Sequence, residues 1–239
     1  MEWAHPEVLA DTVRLFDEHG VRATFFCTHG GIAVPGHERA LHPNFRRSGD
    51  ALTCLRDKLG EQYATLNDTE VYHHVLETTR AFSPDAKGVR AHSLYYDTQL
   101  LPLYQASGLQ YDSSYCLPFV DGIRPFFKEH AILEIPIYYM DHLDLMEQRT
   151  SFDLDRLALD RCGVKVFDFH PNMIYTNAPT CEFYERTKAF YHDPEHLRSA
   201  RHAGRGVRTL LLSLLAAIHQ QHLMTATLGD VNTLWRQSP

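Results

Sequence analysis

The sequence predicts an α/β protein, because patterns typical of β-strands and of α-helices alternate along the chain. Short apolar runs bounded by turn residues indicate buried strands, and amphipathic stretches with capping residues indicate helices. The 239 residues can bury a large core. This number of units in this length favours a barrel-like closure over an open six-stranded sheet, within a single domain over residues 1–239.

Helix signals support several of these elements. Pro6 lies at a favoured first-turn position and Gly20 supplies a stop, which predicts a helix over residues 6–19. Residues 67–70 have the capping-box pattern, and Asp97 is a suitable N-cap for another helix. One apolar face predicts a helix over residues 207–218. Strands are predicted over residues 21–28, 88–91, 109–114, 132–139, 164–169 and 223–228. Long loops are predicted at residues 43–66 and 140–160.

Two histidines stand at predicted strand ends. His42 follows a short strand and precedes Pro43-Asn44, and His170 follows another strand and precedes Pro171-Asn172. The ends of barrel strands deliver ligands and catalytic groups to the rim of the barrel. The two junctions therefore suggest two walls of one site.

Composition excludes several classes of partner. The formal net charge is −7, and lysines and arginines are scattered apart from residues 198–208, so nucleic acid is not an expected partner. The longest apolar run, residues 210–218, is too short to span a bilayer, and no membrane partner is expected. The five cysteines are widely spaced and form no CxxC pair, which indicates a reducing compartment. With no leader pattern at the N-terminus, we expect a cytoplasmic protein.

Six segments together resemble one family, the NodB-type polysaccharide deacetylases of carbohydrate esterase family four. These segments are residues 21–26, His37-Glu38 with His42, Arg90, residues 111–114, residues 134–136 and His170-Pro171. Residues 41–45 and 90–94 more closely resemble the WbmS-type subgroup, which is associated with surface-polysaccharide gene clusters. The resemblance covers nearly the whole chain.

The resemblance implies a distorted (β/α)7 barrel and a divalent metal, with zinc as the expected ion, held by one carboxylate and two histidines. It also implies an aspartate base and a histidine acid. A metal of this kind polarises the acetyl carbonyl and lowers the pKa of a bound water, while the neighbouring groups move protons. The implied reaction removes an acetyl group from a sugar.

The resemblance assigns the metal ligands residue by residue. His42 matches the first metal-binding histidine of the family. The second lies four residues later in the family, where this chain has Arg46, which cannot bind a metal. His92, at the end of the next strand, is the replacement candidate. Its alternative is a histidine that hydrogen-bonds a loop carbonyl.

The resemblance also assigns catalytic roles. His170 matches the late catalytic histidine and becomes the general acid; its alternative is a strand-end residue with no chemical role. Arg90 matches the arginine that orients the catalytic carboxylate; its alternative is a surface salt bridge. His37-Glu38 and Asp112 match structural positions.

The family pattern opens on a strand that ends in two acidic residues, of which only Glu2 is present here. The base would then precede Met1. We expect a chain begun at an internal methionine, with its first strand missing, Glu2 as the metal carboxylate and weak or no activity as written. The alternatives are a protein that has lost catalysis and a terminal acid with no role.

These assignments predict a metal-dependent hydrolase that removes acetyl groups from an N- or O-acetylated sugar in surface-polysaccharide metabolism. A non-catalytic carbohydrate-binding or scaffold protein on the same fold is the alternative, supported by Arg46 and the missing base. A metal-dependent hydrolase of another substrate also stays open, since a fold does not fix a function. The sequence predicts a carbohydrate partner but no oligomeric state.

Overall fold

The computed structural model describes residues 3–46, 49–149 and 151–237. Its helices are α1 (Pro6–Glu18), α2 (Asp50–Leu59), α3 (Asp68–Arg80), α4 (Leu100–Ala106), α5 (Asp141–Met146), α6 (Pro171–Thr176), α7 (Cys181–Thr187), α8 (Pro194–Ser199), α9 (Val207–Gln220) and α10 (Leu228–Gln237). Its strands are β1 (Thr24–Cys27), β2 (Glu38–Leu41), β3 (Gly88–Val89), β4 (Tyr111–Asp112), β5 (Phe126–Phe127), β6 (Leu133–Glu134), β7 (Ile137–Met140) and β8 (Val166–Asp168).

The strands of the described residues form two hydrogen-bonded sheets. The first has the order β1-β2-β3-β4-β6-β5, in which β1, β2, β3, β4 and β6 run parallel and β5 pairs antiparallel to β6. The second pairs β7 with β8 in parallel. The predicted α/β class is confirmed. The predicted (β/α)7 barrel is not, because neither sheet closes on itself in the residues described.

The residues group into two compact units, which we call unit A and unit B. Unit A comprises Met1–Ala23, Cys116–Arg124 and Ile137–Thr227, and unit B comprises Thr24–Tyr115, Pro125–Pro136 and Leu228–Pro239. Unit A contains β7, β8, α1 and α5 to α9. Unit B contains the six-stranded sheet with α2, α3, α4 and α10.

Each unit has its own apolar core. In unit A, the leucines of α9 pack with Met173 and Ile174 of α6 and with Tyr138 and Tyr139 of β7. In unit B, α2, α3 and α4 cover the sheet with residues such as Leu52, Val75 and Leu101. The amphipathic pattern of each helix therefore explains which face it buries.

Several predicted elements are confirmed with shorter bounds. The helix that begins at Pro6 has its proline in the first turn and ends at Glu18. The capping box at the start of α3 forms as predicted, since Glu70 N donates to Asn67 Oδ1 and Asn67 N donates to Glu70 Oε2. The predicted strand at residues 132–139 divides into β6 and β7, which lie in different sheets on either side of Pro136. Proline has no N–H to offer a central strand.

Three other predictions about elements are wrong. The expected loop at residues 43–66 contains α2 and a 3₁₀ helix, and the one at 140–160 contains α5. The expected last strand at residues 223–228 is irregular up to Leu228, where α10 begins.

None of the described helices has both the length and the apolar character that a membrane span requires.

Candidate functional site

The parallel strands of unit B carry polar side chains at their carboxyl ends, the edge at which α/β sheets bind ligands. His42 directly follows β2, and His92 lies three residues beyond β3. Backbone hydrogen bonds continue the sheet through both positions: His42 N donates to Cys27 O at 3.0 Å, and His92 N donates to Pro43 O at 2.9 Å. These backbone hydrogen bonds therefore fix the main-chain positions of both histidines.

The two imidazoles lie edge to face. Their ring centroids lie 5.5 Å apart with the planes at 89°, and both residues are half-buried. Two imidazoles bound to one tetrahedral ion through bonds of about 2.0–2.1 Å have ring centroids roughly 5 Å apart. The pair thus has the spacing of two ligands of one metal.

The structure leaves the rest of the predicted metal set unassigned. Glu2, the predicted metal carboxylate, lies outside the described residues. Within the part of the chain that is described, no group of three possible ligand side chains forms around His42 and His92. Arg46 is exposed, and its backbone N–H donates to Asn44 Oδ1 at 3.1 Å, which closes the turn that follows His42.

Arg90, directly after β3, is buried, so the surface salt bridge considered from sequence is wrong. Its Nε donates to the carbonyl oxygen of Ser113 and its Nη2 to Ser113 Oγ, each at 2.8 Å. The guanidinium carbon lies 4.3 Å from the centroid of the Phe26 ring. These contacts join the ends of β1, β3 and β4 beneath the edge that carries His42 and His92.

A second buried charge cluster lies on β4 and β6. Lys128 Nζ donates to Asp112 Oδ2 at 2.7 Å and to Glu134 Oε2 at 2.6 Å. Burial and the nearby negative charge of Asp112 raise the pKa of Glu134 to about 7, although Lys128 opposes the shift. Burial alone would lower the pKa of Lys128, but the two carboxylates raise it. The contacts of Asp112 agree with the structural role expected for it.

Unit A holds the other predicted catalytic residue. His170 lies between β8 and α6, and its Nδ1 lies 2.5 Å from Asp141 Oδ1. The backbone N–H of His170 donates to Asp141 Oδ2 at 2.7 Å, and that of His142 donates to Asp141 Oδ1 at 2.7 Å. The Asp141 carboxylate is fully buried, whereas 15% of the His170 side chain is exposed. A carboxylate on Nδ1 orients the ring and presents Nε2 for proton transfer.

Sequence reasoning did not give Asp141 this role, although a signal was present. Asp141 directly follows β7, just as His42 follows β2, so the strand-end rule applies to it equally. The same helix turn holds Asp144, whose carboxylate accepts two hydrogen bonds from Arg156 at 2.7 and 3.1 Å. Burial, with the charges of Asp141 and Asp144, raises the pKa of Tyr139.

A further cluster in unit A could hold a metal. His142, Cys181 and Glu185 each place one ligand atom so that all three atoms lie within 4.8 Å of one another. None of the three belongs to the ligand set predicted from sequence.

Comparisons with known proteins address the family directly. The family model "WbmS-like: Polysaccharide deacetylase" matches residues 1–188. The crystal structure of WbmS from Bordetella bronchiseptica, assigned as a polysaccharide deacetylase involved in O-antigen biosynthesis, matches with a TM-score of 0.75 and 28% identity. That match covers 90% of this chain and 87% of that one.

A second solved structure, assigned as a polysaccharide deacetylase from Mycobacterium smegmatis, matches with a TM-score of 0.51 and 18% identity, which shows the fold alone. It covers 96% of this chain and 77% of that one. No curated protein sequence matches. Because the family model covers residues 1–188 of 239, the chain belongs to the WbmS-like polysaccharide deacetylase family.

Proposed function

We propose that this protein removes acetyl groups from an N- or O-acetylated sugar during the assembly of a bacterial surface polysaccharide. Two comparisons support this proposal. The chain belongs to a polysaccharide deacetylase family, and a solved protein 28% identical to it is assigned to O-antigen biosynthesis. The observation that carries the proposal is the contact of 2.5 Å between His170 Nδ1 and the buried Asp141 carboxylate.

His170 is the proposed general acid. When the acetyl carbon–nitrogen or carbon–oxygen bond breaks, the leaving atom must gain a proton, and imidazole Nε2 can donate it. Asp141 positions His170 and stabilises the positive charge that the ring carries before it gives up the proton. We assign no residue as the base.

His42 and His92 are the proposed protein ligands of a divalent metal, with zinc as the expected ion and Glu2 as the third ligand. Their centroid distance of 5.5 Å supports two imidazoles on one ion. When bound, such an ion polarises the acetyl carbonyl and makes a water molecule more acidic. Arg90 fixes the neighbouring strand end through Ser113 and is proposed to position the site.

A cytoplasmic location is proposed on the cysteine pattern. All five cysteines are free thiols in the structure, and a reducing compartment would keep them so. Fractionation of cells that produce the protein would test this. Recovery outside the cytoplasm would contradict it.

The experiment is acetate release from a panel of N- and O-acetylated sugars by the metal-loaded protein. We expect His170→Gln and Asp141→Asn each to lower kcat by about 10²- to 10⁴-fold with little change in KM. The first removes the proton donor, and the second removes the carboxylate that orients it. His192→Asn is the matched control, since His192 is an exposed histidine of the same unit, and it should keep full turnover.

Two outcomes would contradict the proposal. Unchanged turnover in both variants would remove His170 and Asp141 from the reaction. Absence of acetate release by the unaltered protein, together with binding of the same sugars, would favour the non-catalytic carbohydrate-binding alternative that Arg46 suggests.

A further inference from the structure

Three side chains on two short helices of unit A form a ligand set that the proposed reaction does not use. His142 is the second residue of α5, while Cys181 and Glu185 are the first and fifth residues of α7. Residues four apart on a helix lie on the same face, so Cys181 and Glu185 face one side together. His142 completes the group, with all three ligand atoms within 4.8 Å of one another.

Local contacts hold two of these three side chains in position. Phe183 N donates to Thr180 Oγ1 at 3.1 Å, which caps α7 and sets its first residue, Cys181. The ring of His142 lies against His170 and Tyr184, at centroid distances of 5.8 and 6.1 Å. His142 and Cys181 are both half-buried, whereas Glu185 is exposed. Two ligands are therefore held in place, and the third can move towards them.

The donor atoms select the kind of ion. A thiolate, an imidazole and a carboxylate suit Zn²⁺ and similar first-row ions, whereas Ca²⁺ and Mg²⁺ prefer oxygen ligands alone. Ligands bound to tetrahedral Zn²⁺ at about 2.0–2.3 Å lie roughly 3.3–3.8 Å apart, so the three side chains must close by at most about 1.5 Å. The exposed Glu185 side chain can supply most of that movement.

One cation of the protein already competes for the site. Lys188 Nζ lies 2.6 Å from Glu185 Oε1 and 5.0 Å from the centroid of the Tyr184 ring. A metal that binds Glu185 must share its carboxylate with this ammonium group or displace it. Lys188 therefore weakens metal binding.

We propose that His142, Cys181 and Glu185 form a binding site for a Zn²⁺-class ion, with a fourth coordination position left to water or to a small ligand. The site uses other residues than His42 and His92 and does not depend on deacetylase activity. Its thiolate gives it a spectroscopic signature that a site built from histidines and carboxylates lacks.

The test is a titration of the metal-free protein with Co²⁺ in a reducing buffer, followed by displacement with Zn²⁺. We expect a saturable thiolate-to-cobalt charge-transfer band with one ion bound at this site. The band should remain when His42 and His92 are both changed to alanine, which separates this proposal from the proposed function. Cys181→Ser should abolish the band, and Cys162→Ser, an exposed cysteine of the same unit, should keep it.

Variants of the charged residues complete the test. Glu185→Gln and His142→Asn should lower Co²⁺ affinity by at least the 10- to 100-fold that loss of an outer-shell partner typically costs. Lys188→Gln should raise the affinity for Co²⁺. Glu182 is an exposed acid of α7, and Glu182→Gln should leave this affinity unchanged.

Because Glu185 and Lys188 are exposed, their variants should fold normally, which far-ultraviolet circular dichroism checks. A thiolate band that is missing, or that survives Cys181→Ser, would overturn the site. A band insensitive to both Glu185→Gln and His142→Asn would overturn it as well.

Discussion

His42 and His92 show how two neighbouring strands can bring two imidazoles together. Each imidazole follows the end of a strand, and each residue's backbone N–H is bound within the sheet. The spacing of neighbouring parallel strands, about 4.8 Å, brings the two backbone segments close enough for the rings to lie 5.5 Å apart. Such a pair should bind a metal with little reorganisation.

At this residue scale, we predict that His42→Ala and His92→Ala lower metal affinity to a similar extent. Each removes one imidazole from a site with few ligands, so the loss should exceed about tenfold. The measurement is the zinc content that remains after dialysis against a chelator. Both variants are made in a Cys181→Ser background, so that zinc at the thiolate site does not contribute.

His73→Ala is the control for this pair, because His73 is an exposed histidine of unit B on α3. It should keep wild-type zinc content. If only His42 matters, His92 returns to the alternative of a histidine that hydrogen-bonds a loop carbonyl.

The carboxyl group of Glu134 has a pKa that its buried position raises. Its carboxylate is 2% exposed, and burial with the Asp112 charge raises its pKa from 4.5 to about 7. Between these values the folded state holds a proton that the unfolded state has lost. Stability contributed by this group is therefore full below about pH 4.5 and falls as pH rises towards 7.

We predict that this group's contribution to the free energy of unfolding falls by an amount on the order of 3 kcal/mol between pH 4.5 and 7.5. Glu134→Gln imitates the protonated form and should remove that component of the pH dependence. Urea unfolding at a series of pH values measures it. Glu129→Gln, an exposed acid nearby, should follow the unaltered protein. Parallel curves for Glu134→Gln and the unaltered protein would show that the carboxyl titrates normally.

His42 and His170 could be selected from the sequence by their place after predicted strands, and the structure puts each directly after or close to a strand end. The roles expected for Arg90 and His92 came from the family resemblance. The partners could not be predicted, because they are distant in sequence: Asp141 lies 29 residues before His170, and Ser113 lies 23 residues after Arg90. Only tertiary contacts reveal such pairs.

At the scale of elements, α10 shows why the last prediction of a strand failed. Residues 224–228 alternate apolar and polar side chains as a strand would, but α10 starts at Leu228 because unit B supplies acceptors for its first N–H groups. Leu228 N donates to Thr24 Oγ1 at 2.9 Å, and Gly229 N donates to Glu38 Oε2 at 2.8 Å. The helix is capped by side chains from β1 and β2 that lie 204 and 191 residues earlier in the chain, so no local pattern contains them.

We predict that Glu38→Ala destabilises the protein by about 1–3 kcal/mol, because part-buried donors lose their charged acceptor. Glu38 also accepts from Thr24 Oγ1 at 2.6 Å and from Tyr111 Oη at 2.8 Å. Hydrogen exchange should increase most in α10. Arg39→Gln, at an exposed position of the same strand, should change little. Unaltered exchange in residues 228–237 would show that Glu38 does not hold the helix.

Gly229 adds a steric check on the same contact. A Cβ at this position would lie 2.4 Å from Glu38 Oε1. Gly229→Ala should therefore weaken the same end of α10, and its effect should shrink in the Glu38→Ala background, since the two changes act on one contact.

At the scale of the whole molecule, the chain passes between unit A and unit B five times, and each unit is built from three separate segments. Neither unit is a continuous stretch that could be synthesised and folded before the other begins. The single domain predicted from chain length remains a prediction, and this connectivity supports it.

Two tryptophans allow that prediction to be tested. Trp3 lies in unit A and Trp235 in unit B, and the sequence contains no other tryptophan. In Trp3→Phe the fluorescence of Trp235 reports on unit B, and in Trp235→Phe the fluorescence of Trp3 reports on unit A. We predict that each variant's fluorescence midpoint in urea equals the midpoint that circular dichroism gives for the same variant. Separate midpoints would show that the units unfold independently.

The α/β class followed from the alternation of strand and helix patterns, which is a local property of the sequence. Barrel closure depends on which strands meet across the sheet, and the described pairing gives one sheet of six strands and another of two. Short strands such as β3 and β4 contain only two residues each, so their periodicity could not show where each sheet ends.

Helix α9 has a practical consequence for the design of truncated fragments of this protein. The family model ends at residue 188, yet Leu210, Leu211, Leu214 and Leu215 of α9 lie in the core of unit A, each no more than 3% exposed. A recombinant fragment cut at that boundary would leave the aromatic and aliphatic residues beneath α9 facing water, and it should collect in inclusion bodies. The limit of recognisable sequence similarity is therefore not a safe place to cut this polypeptide.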